Sequence, residues 1–233
     1  MVEEKRGKLI VIEGTDCSGK STQINLLLEQ LKKENISAAS LDFPNYSTPT
    51  GKIVRRYLDN EFGPANQIDP KIASIFYAED RFASKSIIEE ALIKNQVVIL
   101  DRYVESNMGH QGGKIRDENE RRKFFEWLKE LEYENFQMHK PDLIIFFHMP
   151  HLVSIELKGQ RTKKSEFHPS RDDGHENIEH LKNAEEAYLQ LANLYGWVKI
   201  SWAPDRTINS LRTPEDISEE VYEHIIKVLN YAL

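Results

Sequence analysis

The stretch GTDCSGKST, residues 14–22, has residue types and a spacing that suit the binding of nucleotide phosphates. It meets the pattern G-x-x-x-x-G-K-[ST], with an apolar run before it and a helical pattern after it. The backbone N–H groups of such a loop and of the following helix N-terminus point at phosphate oxygens, because they have no partners within the helix. The sequence therefore predicts an ATP-binding P-loop. Its residues are Gly14, Thr15, Asp16, Cys17, Ser18, Gly19, Lys20, Ser21 and Thr22.

Four side chains have predicted roles in phosphoryl transfer. In the P-loop, the Lys20 ammonium is expected to bridge the β- and γ-phosphates, and the Ser21 hydroxyl to bind Mg²⁺. A second landmark, ILDRY, closes a later apolar run. There Asp101 can hold a metal-bound water, and the Arg102 guanidinium can bind an acceptor phosphate through two nitrogens. The alternative is an ordinary surface ion pair between Asp101 and Arg102 at the end of a strand.

Five short apolar runs alternate with longer segments of helical spacing, which is the pattern of a parallel sheet covered on both faces. The predicted strands are Lys8–Glu13, Ser37–Phe43, Gln96–Asp101, Asp142–Met149 and Trp197–Ser201. The predicted helices are Lys20–Glu34, Pro70–Lys94, Asp117–Asn135, His151–Lys158, Glu176–Tyr195 and Thr213–Tyr231. Both chemical landmarks then lie at the carboxyl edge of the sheet, where open α/β sheets bind ligands. We expect one α/β domain of P-loop NTPase type over residues 1–233.

The composition narrows the class of protein. The 233 residues include 31 basic and 38 acidic side chains, so the formal charge of −7 disfavours a general nucleic-acid-binding surface. The sequence contains no apolar run of about 18 residues that would cross a membrane, and its N-terminus has no secretory apolar region. The single cysteine agrees with a reducing compartment, so we expect a cytoplasmic protein. His148 and His151 lack further partners at zinc-binding spacing.

A P-loop alone does not identify a reaction. The chain has no N-K-x-D motif, which argues against a switch GTPase. It does carry IEGTDCSGKSTQ, DFPNYSTPTGKIVRRYL, IFYAEDR and DRYVESNMGHQGGK in this order, and with these motifs it resembles thymidylate kinases of the P-loop nucleoside-monophosphate kinase group. The resemblance implies transfer of the γ-phosphoryl group of ATP·Mg²⁺ to dTMP, which gives dTDP. It also implies a homodimer and a short mobile lid at residues 158–174.

The resemblance assigns nine residues to the dTMP site. Asp16 matches the contact of the sugar 3′-hydroxyl, and Tyr77 the residue that stacks on the base. Arg81 matches the donor to thymine O4, and Asn107 a residue on the same base edge. The alternatives are a turn cap at Asp16, a helix-surface ion pair at Arg81 and a local cap at Asn107. The full predicted set is Asp16, Phe43, Tyr46, Tyr77, Arg81, Arg102, Tyr103, Asn107 and His110.

The chemistry of Arg81 predicts base specificity independently of the resemblance. A guanidinium has only donors, so it pairs with the O4 acceptor of thymine or uracil but not with the N4 amino group of cytosine. We therefore expect dCMP to bind poorly.

The chain departs from the family pattern around the sugar and the acceptor phosphate. Tyr46 stands where many members carry an arginine, so the phosphate would receive a hydroxyl there instead of a charge. His110 replaces the usual aromatic residue, which puts contacts near the sugar 2′ carbon in question. Tyr103 is a candidate steric check on a 2′-hydroxyl.

A further departure, Cys17, removes a cation from the P-loop. Many members carry an arginine there, which neutralises the charge that spreads over the transferred phosphoryl group. A second family pattern places this cation in the lid, where Arg161 and then Lys163 are the candidates. The alternative is a solvated basic loop. The predicted catalytic set is Lys20, Arg102, Arg161, Lys163 and Asp16.

An acidic residue near the end of the lid completes the predicted metal site. Glu176 matches an acidic element that some relatives place near the nucleotide sugar or Mg²⁺, although a plain acidic residue at a helix start is the alternative. The predicted metal-binding residues are Ser21, Asp101 and Glu176.

Two other classes of function compete with this interpretation. A P-loop kinase for uridylate or for a deoxynucleoside would share the donor site but use a different acceptor. A non-catalytic nucleotide-binding module would bind ATP without acceptor-dependent ADP release. The presence of Lys20, Asp101 and Arg102 together argues against the second class.

Overall fold

In the computed structural model, which describes residues 6–164 and 178–230, five strands form one parallel sheet. They are β1 (Lys8–Glu13), β2 (Ala38–Asp42), β3 (Val97–Asp101), β4 (Leu143–His148) and β5 (Val198–Ser201), in the spatial order β2-β3-β1-β4-β5. The register places Ile12 of β1 opposite Asp101 of β3, so the P-loop and the segment after β3 leave the same edge of the sheet. The predicted five-stranded parallel fold is confirmed.

Nine α-helices within the two described ranges connect and cover these strands. They are α1 (Lys20–Lys33), α2 (Pro49–Leu58), α3 (Pro70–Ala83), α4 (Lys85–Lys94), α5 (Val104–Gly112), α6 (Glu118–Lys129), α7 (His151–Lys164), α8 (Ile178–Tyr195) and α9 (Pro214–Asn230). A π-helical turn, Glu130–Asn135, continues α6, and a 3₁₀ turn, Ile208–Ser210, precedes α9. No helix in the described parts of the chain has an apolar stretch long enough to span a bilayer.

The core lies on both faces of the sheet because successive strand residues point in opposite directions. On one face, Leu9 and Val11 of β1 join a buried cluster with side chains of α4, α5, α6 and α8. On the other face, Ile10 and Ile12 join side chains of α1 and α9. Continuous apolar strands are therefore required, as in other parallel sheets that helices cover on both faces.

The helix predicted over Pro70–Lys94 is divided in the structure. Ser84 separates α3 from α4, and its N–H donates to the carbonyl groups of both Asp80 and Arg81. The apolar spacing is that of a helix on both sides of this point, so periodicity alone does not detect the break.

Two helices, α2 and α5, were not predicted, and α7 continues to Lys164, beyond the predicted end at Lys158. The start of α2 carries a local signal, because the Thr48 side chain accepts from the Gly51 N–H and Pro49 opens the helix. Most residues of α5 are buried, polar ones included, so it shows no amphipathic pattern.

Candidate active site

The P-loop connects β1 to α1 and requires glycine at two positions. Gly14 has a φ of 153°, and a Cβ atom there would lie 2.8 Å from the carbonyl oxygen of Phe147. Gly19 caps α1 with a φ of 76°, and a Cβ atom there would lie 2.7 Å from the Trp202 ring. Both backbone conformations favour glycine, and both sites leave no space for a side chain.

Lys20 is buried and bends back onto its own loop. Its Nζ donates to the carbonyl oxygens of Gly14, at 3.2 Å, and Thr15, at 3.1 Å. Burial, followed by the nearby Arg102 guanidinium, lowers the pKa of Lys20 to about 8. The hydroxyls of Thr15 and Ser18 are buried with no hydrogen-bond partner among the described residues. The loop thus has polar groups available for a phosphate.

The end of β3 presents oxygen atoms that suit a hard cation. The Oδ1 atom of Asp101 is buried and has no hydrogen-bond partner among the described residues. The exposed Ser21 hydroxyl belongs to the first turn of α1. Carboxylate, hydroxyl and water oxygens are the ligands that Mg²⁺ prefers, so Asp101 and Ser21 fit a magnesium site. Glu176, the third predicted ligand, lies outside the described residues.

Arg102 connects the P-loop with the cavity beside it. Its Nη1 donates to the Gly14 carbonyl, at 3.1 Å, and to Nε2 of His110, at 2.8 Å, while Nη2 binds the Asp16 carboxylate. Burial favours the neutral form of Asp16, but Arg102 and the other basic groups nearby, Lys20 among them, together outweigh this effect and hold the pKa of Asp16 below the usual range. The Arg102 side chain is only 18% exposed and that of Asp16 is 39% exposed, so the pair lies at the mouth of the cleft, with the arginine inside it.

A hydrogen-bonded chain runs from Arg102 through the neutral rings of His110 and His180. Because arginine only donates, Nε2 of His110 must accept, and its proton is on Nδ1. This Nδ1 faces Nε2 of His180, from α8, at 3.4 Å. Burial and then neighbouring cations lower the pKa of His110 well below its usual value, and burial also lowers that of His180.

A cavity of about 140 Å³ lies beside the P-loop. Eight of the nine residues predicted for the dTMP site line it: Asp16, Phe43, Tyr46, Tyr77, Arg81, Arg102, Asn107 and His110. Five lining residues were not predicted: Pro44, Leu58, Ser106, Gln111 and His180. The motif around Asn107 contains Ser106 and Gln111, so its position in the sequence could have suggested them, whereas His180 belongs to a distant helix.

Tyr103 is placed differently from its predicted neighbours. It is fully buried and is not among the residues that line the cavity. Its ring packs between Phe43, at 6.3 Å, and Tyr133, at 6.4 Å between ring centres. The structure thus places it behind Phe43, and direct contact with a sugar remains a prediction.

A buried ion pair positions the predicted base-binding residues. Nε and Nη2 of Arg81 donate to the two carboxylate oxygens of Glu132, each at 2.6 Å, and both side chains are at most 2% exposed. Nδ2 of Asn107 donates to the carbonyl of Ser74, at 3.0 Å, and to Glu132, at 3.4 Å. The interpretation of Arg81 as a helix-surface residue is therefore wrong. Glu132, in the π-helical turn, carries no sequence signal for this role.

The predicted lid cations lie at the limit of the described chain. The backbone at Arg161 and Lys163 is the last turn of α7, and their side chains are outside the described part of the structure. Their predicted catalytic roles remain untested by the geometry.

Similarity to known proteins identifies the family of this chain. The family description of thymidylate kinases matches residues 12–211. The chain belongs to the thymidylate kinase family. It is 26% identical to the thymidylate kinase of Plasmodium falciparum, over 97% of this chain and 93% of that protein. It is 29% identical to that of Dictyostelium discoideum, over 93% and 84% respectively. The solved structure of the thymidylate kinase from Candida albicans has the same fold, with a TM-score of 0.70, 23% identity and coverage of 97% and 93%.

We predict that Glu132→Gln destabilises this thymidylate kinase family member by about 3–5 kcal/mol, because it leaves the buried Arg81 charge without its anion. Urea unfolding measures the change. The matched control is Glu134→Gln, in the same π-helical turn, where the carboxylate pairs with Lys140 on the surface. The control is expected to change stability by at most about 0.5 kcal/mol. Equal unfolding free energies for the two variants would contradict the predicted role of the ion pair.

We predict that binding of ATP·Mg²⁺ at pH 8 takes up about half a proton, because Lys20 is half-neutral in the free protein and the phosphate charge raises its pKa. At pH 6.5 Lys20 is already protonated in the free protein, so the number of protons that Lys20 takes up on binding approaches zero. Calorimetry in buffers of different ionisation enthalpy measures the proton count, and Lys20→Met is expected to abolish the uptake at pH 8. A binding heat at pH 8 that is independent of the buffer would rule out this titration.

Proposed function

We propose that the protein transfers the γ-phosphoryl group of ATP·Mg²⁺ to dTMP and releases ADP and dTDP. The observation that carries this proposal is the cavity beside the P-loop, which combines Arg102 at the phosphate end with Arg81 and Asn107 at the base end. Membership in the thymidylate kinase family supports the same reaction. We take residues 1–233 as one kinase domain, with the lid at residues 158–174.

The polar groups at the base end match thymine. Glu132 occupies two nitrogens of Arg81, and the third, Nη1, makes no hydrogen bond to the described residues. Nη1 can therefore donate to thymine O4. The Nδ2 atom of Asn107 is engaged by Ser74 and Glu132, which leaves its Oδ1 to accept from the thymine N3–H. Cytosine presents a donor in place of O4 and lacks the N3–H, so it matches neither group.

The groups at the sugar and phosphate end match the rest of dTMP. Tyr77 lines the cavity and supplies an aromatic face for the base. The depressed pKa of Asp16 keeps its carboxylate ionised, ready to accept from the 3′-hydroxyl. Arg102 supplies the charge for the acceptor phosphate, and the Tyr46 hydroxyl supplies a neutral donor.

The P-loop provides the donor site. Lys20 leaves its two loop carbonyls and binds the phosphates of ATP, together with the backbone N–H groups of the loop. Ser21 and Asp101 would hold Mg²⁺, which would supply positive charge to neutralise the phosphates of ATP. Glu176 is the third proposed ligand. Arg161, with Lys163 next, supplies the cation that Cys17 cannot, and the lid that carries them excludes water.

The test is ADP release with ATP·Mg²⁺ and dTMP, dUMP, UMP, dCMP or thymidine in parallel. We expect the highest kcat/KM with dTMP, low activity with dCMP, and no turnover once EDTA removes Mg²⁺. A preference for thymidine would identify a nucleoside kinase instead. ADP release that does not depend on the acceptor would leave only a nucleotide-binding P-loop.

We predict that Arg161→Ala lowers kcat by about 10³-fold, the magnitude typical for loss of a cation that stabilises the transferred phosphoryl group. The affinity for dTMP is expected to change little, because Arg161 acts on the transition state and not on the acceptor. Steady-state kinetics and dTMP calorimetry separate the two effects. An unaltered kcat would exclude Arg161 and direct attention to Lys163.

We propose a homodimer through α3, because Ile72, Ile75 and Phe82 form an exposed apolar stripe on this helix, each about half exposed. Ile75→Asp is expected to give a monomer in light scattering after gel filtration. The matched control, Ile93→Asp, changes an isoleucine on α4 that is 78% exposed and outside the stripe, and it is expected to remain dimeric. A monomeric unmodified protein would exclude the proposal.

We also propose that the enzyme acts in the cytoplasm, in agreement with its single cysteine. Cell fractionation tests this, and recovery in a secreted or membrane fraction would contradict it.

A further inference from the structure

A second cavity opens at the amino-terminal edge of the sheet, opposite the edge that carries the P-loop. Its volume is about 380 Å³. It lies between α5, the π-helical turn and the starts of β4 and β5. Its apolar walls include Met108, Leu143 and Val198, and its aromatic walls are Tyr133, Tyr195 and Trp197. None of these residues belongs to the proposed dTMP or ATP sites.

One polar group in this cavity is buried without a complete set of partners. Glu105 is 3% exposed and lines the cavity, and its Oε1 accepts from the Tyr133 hydroxyl. Its Oε2 is buried and has no partner among the described residues. Burial, with Glu13 nearby, raises the pKa of Glu105 to about 8, so at neutral pH the carboxyl group keeps its proton and can donate to a ligand.

The rest of the lining defines the chemical class of the ligand. The rings of Tyr195 and Trp197 stack with their centres 6.5 Å apart, and they offer a wall for a flat aromatic molecule. The rim carries two lysines, with Lys129 4.8 Å from the Tyr195 ring centre and Lys140 5.9 Å from that of Tyr133.

Acidic groups at the rim leave these cations available. Lys129 pairs with Glu126 and Lys140 pairs with Glu134, but all four side chains are exposed, so these ion pairs contribute little to holding the lysines in place. The acidic side chain of Asp142 is already neutralised by Arg6 and Lys8. An aromatic anion with a hydrogen-bond acceptor fits this lining.

The second cavity and the cavity beside the P-loop, called the nucleotide cavity below, lie on either side of α5. On α5, Glu105 and Met108 face the second cavity, whereas Asn107 and His110 face the nucleotide cavity. In the π-helical turn, Tyr133 binds Glu105, while the adjacent Glu132 binds Arg81. A ligand that binds the free Oε2 of Glu105 would pull this side chain against its hydrogen bond from Tyr133, and so would shift the adjacent Glu132, the partner of Arg81.

We propose that this cavity is a second small-molecule site, specific for a planar aromatic anion, and that its occupancy weakens dTMP binding through α5 and the π-helical turn. The antagonism rests on the proposed dTMP function, whereas binding to the cavity does not. The effect is reciprocal, because coupling between two sites has the same free energy in both directions.

The probe is 1-anilinonaphthalene-8-sulfonate, an aromatic anion that becomes fluorescent in apolar sites. Saturable binding of one probe per chain is expected, with affinity reduced about fivefold or more in Lys129→Ala. The control is Lys123→Ala, which removes a lysine of the same helix that also pairs with a glutamate three residues away. Trp197→Leu is expected to lower the affinity for the probe, and Trp127→Leu is expected to leave this affinity unchanged. Equal probe affinity in all four variants overturns the site.

Coupling is measured by dTMP calorimetry at increasing probe concentration. The apparent Kd for dTMP is expected to rise about fivefold and then reach a plateau. A Kd that rises without limit means direct competition in the nucleotide cavity and overturns the proposal, as does a Kd that never changes. Failure of dTMP to bind without the probe would instead count against the proposed function, while the variants still test the second site.

Discussion

The parallel pairing of β1 with β3 is the constraint on which the rest of the site depends. The pairing extends one residue beyond β3, because the Arg102 N–H donates to the carbonyl of Ile12 at 3.1 Å. Arg102 has a left-handed backbone, with a φ of 69°, and its guanidinium reaches Gly14 and Asp16. This conformation is unfavourable for a residue with a side chain, so the surrounding contacts must maintain it. A shift in the register of one strand would separate the two halves of the phosphate site.

The buried carboxylate of Glu13 connects this edge of the sheet with neighbouring helices. Glu13, the last residue of β1, is fully buried and accepts from the Tyr103 N–H, the Ser106 hydroxyl and the Tyr188 hydroxyl. These donors belong to the start of α5 and to α8. One side chain thus connects the P-loop strand with two helices that line or flank the nucleotide cavity. Three hydrogen bonds compensate for the loss of water, as a buried polar group requires.

A second carboxylate, Glu185 of α8, joins the segments on either side of the lid. It accepts from Nε2 of His148 at the end of β4, from the N–H and Nδ1 of His151 at the start of α7, and from Arg206. Burial favours its neutral form, but the hydrogen bonds from the two histidines hold its pKa at about 2. The HMPH segment therefore has a structural role, because it fixes the base from which the proposed lid extends.

The sequence by itself determined the P-loop and the parallel sheet, because motifs and apolar runs are local patterns that persist in any fold of this class. Its resemblance to a known family pointed to eight of the residues that line the cavity beside the P-loop. Tertiary structure alone decided the division of a long helix at Ser84, the burial of Tyr103 and the pairing of Arg81 with Glu132. It also brought His180 to the cavity. The last two of these features join residues far apart in the chain, with separations of 51 for Arg81 with Glu132 and 70 for His110 with His180. Local spacing carries no information about such partners, because a buried charge takes its counterion from whichever element packs beside it.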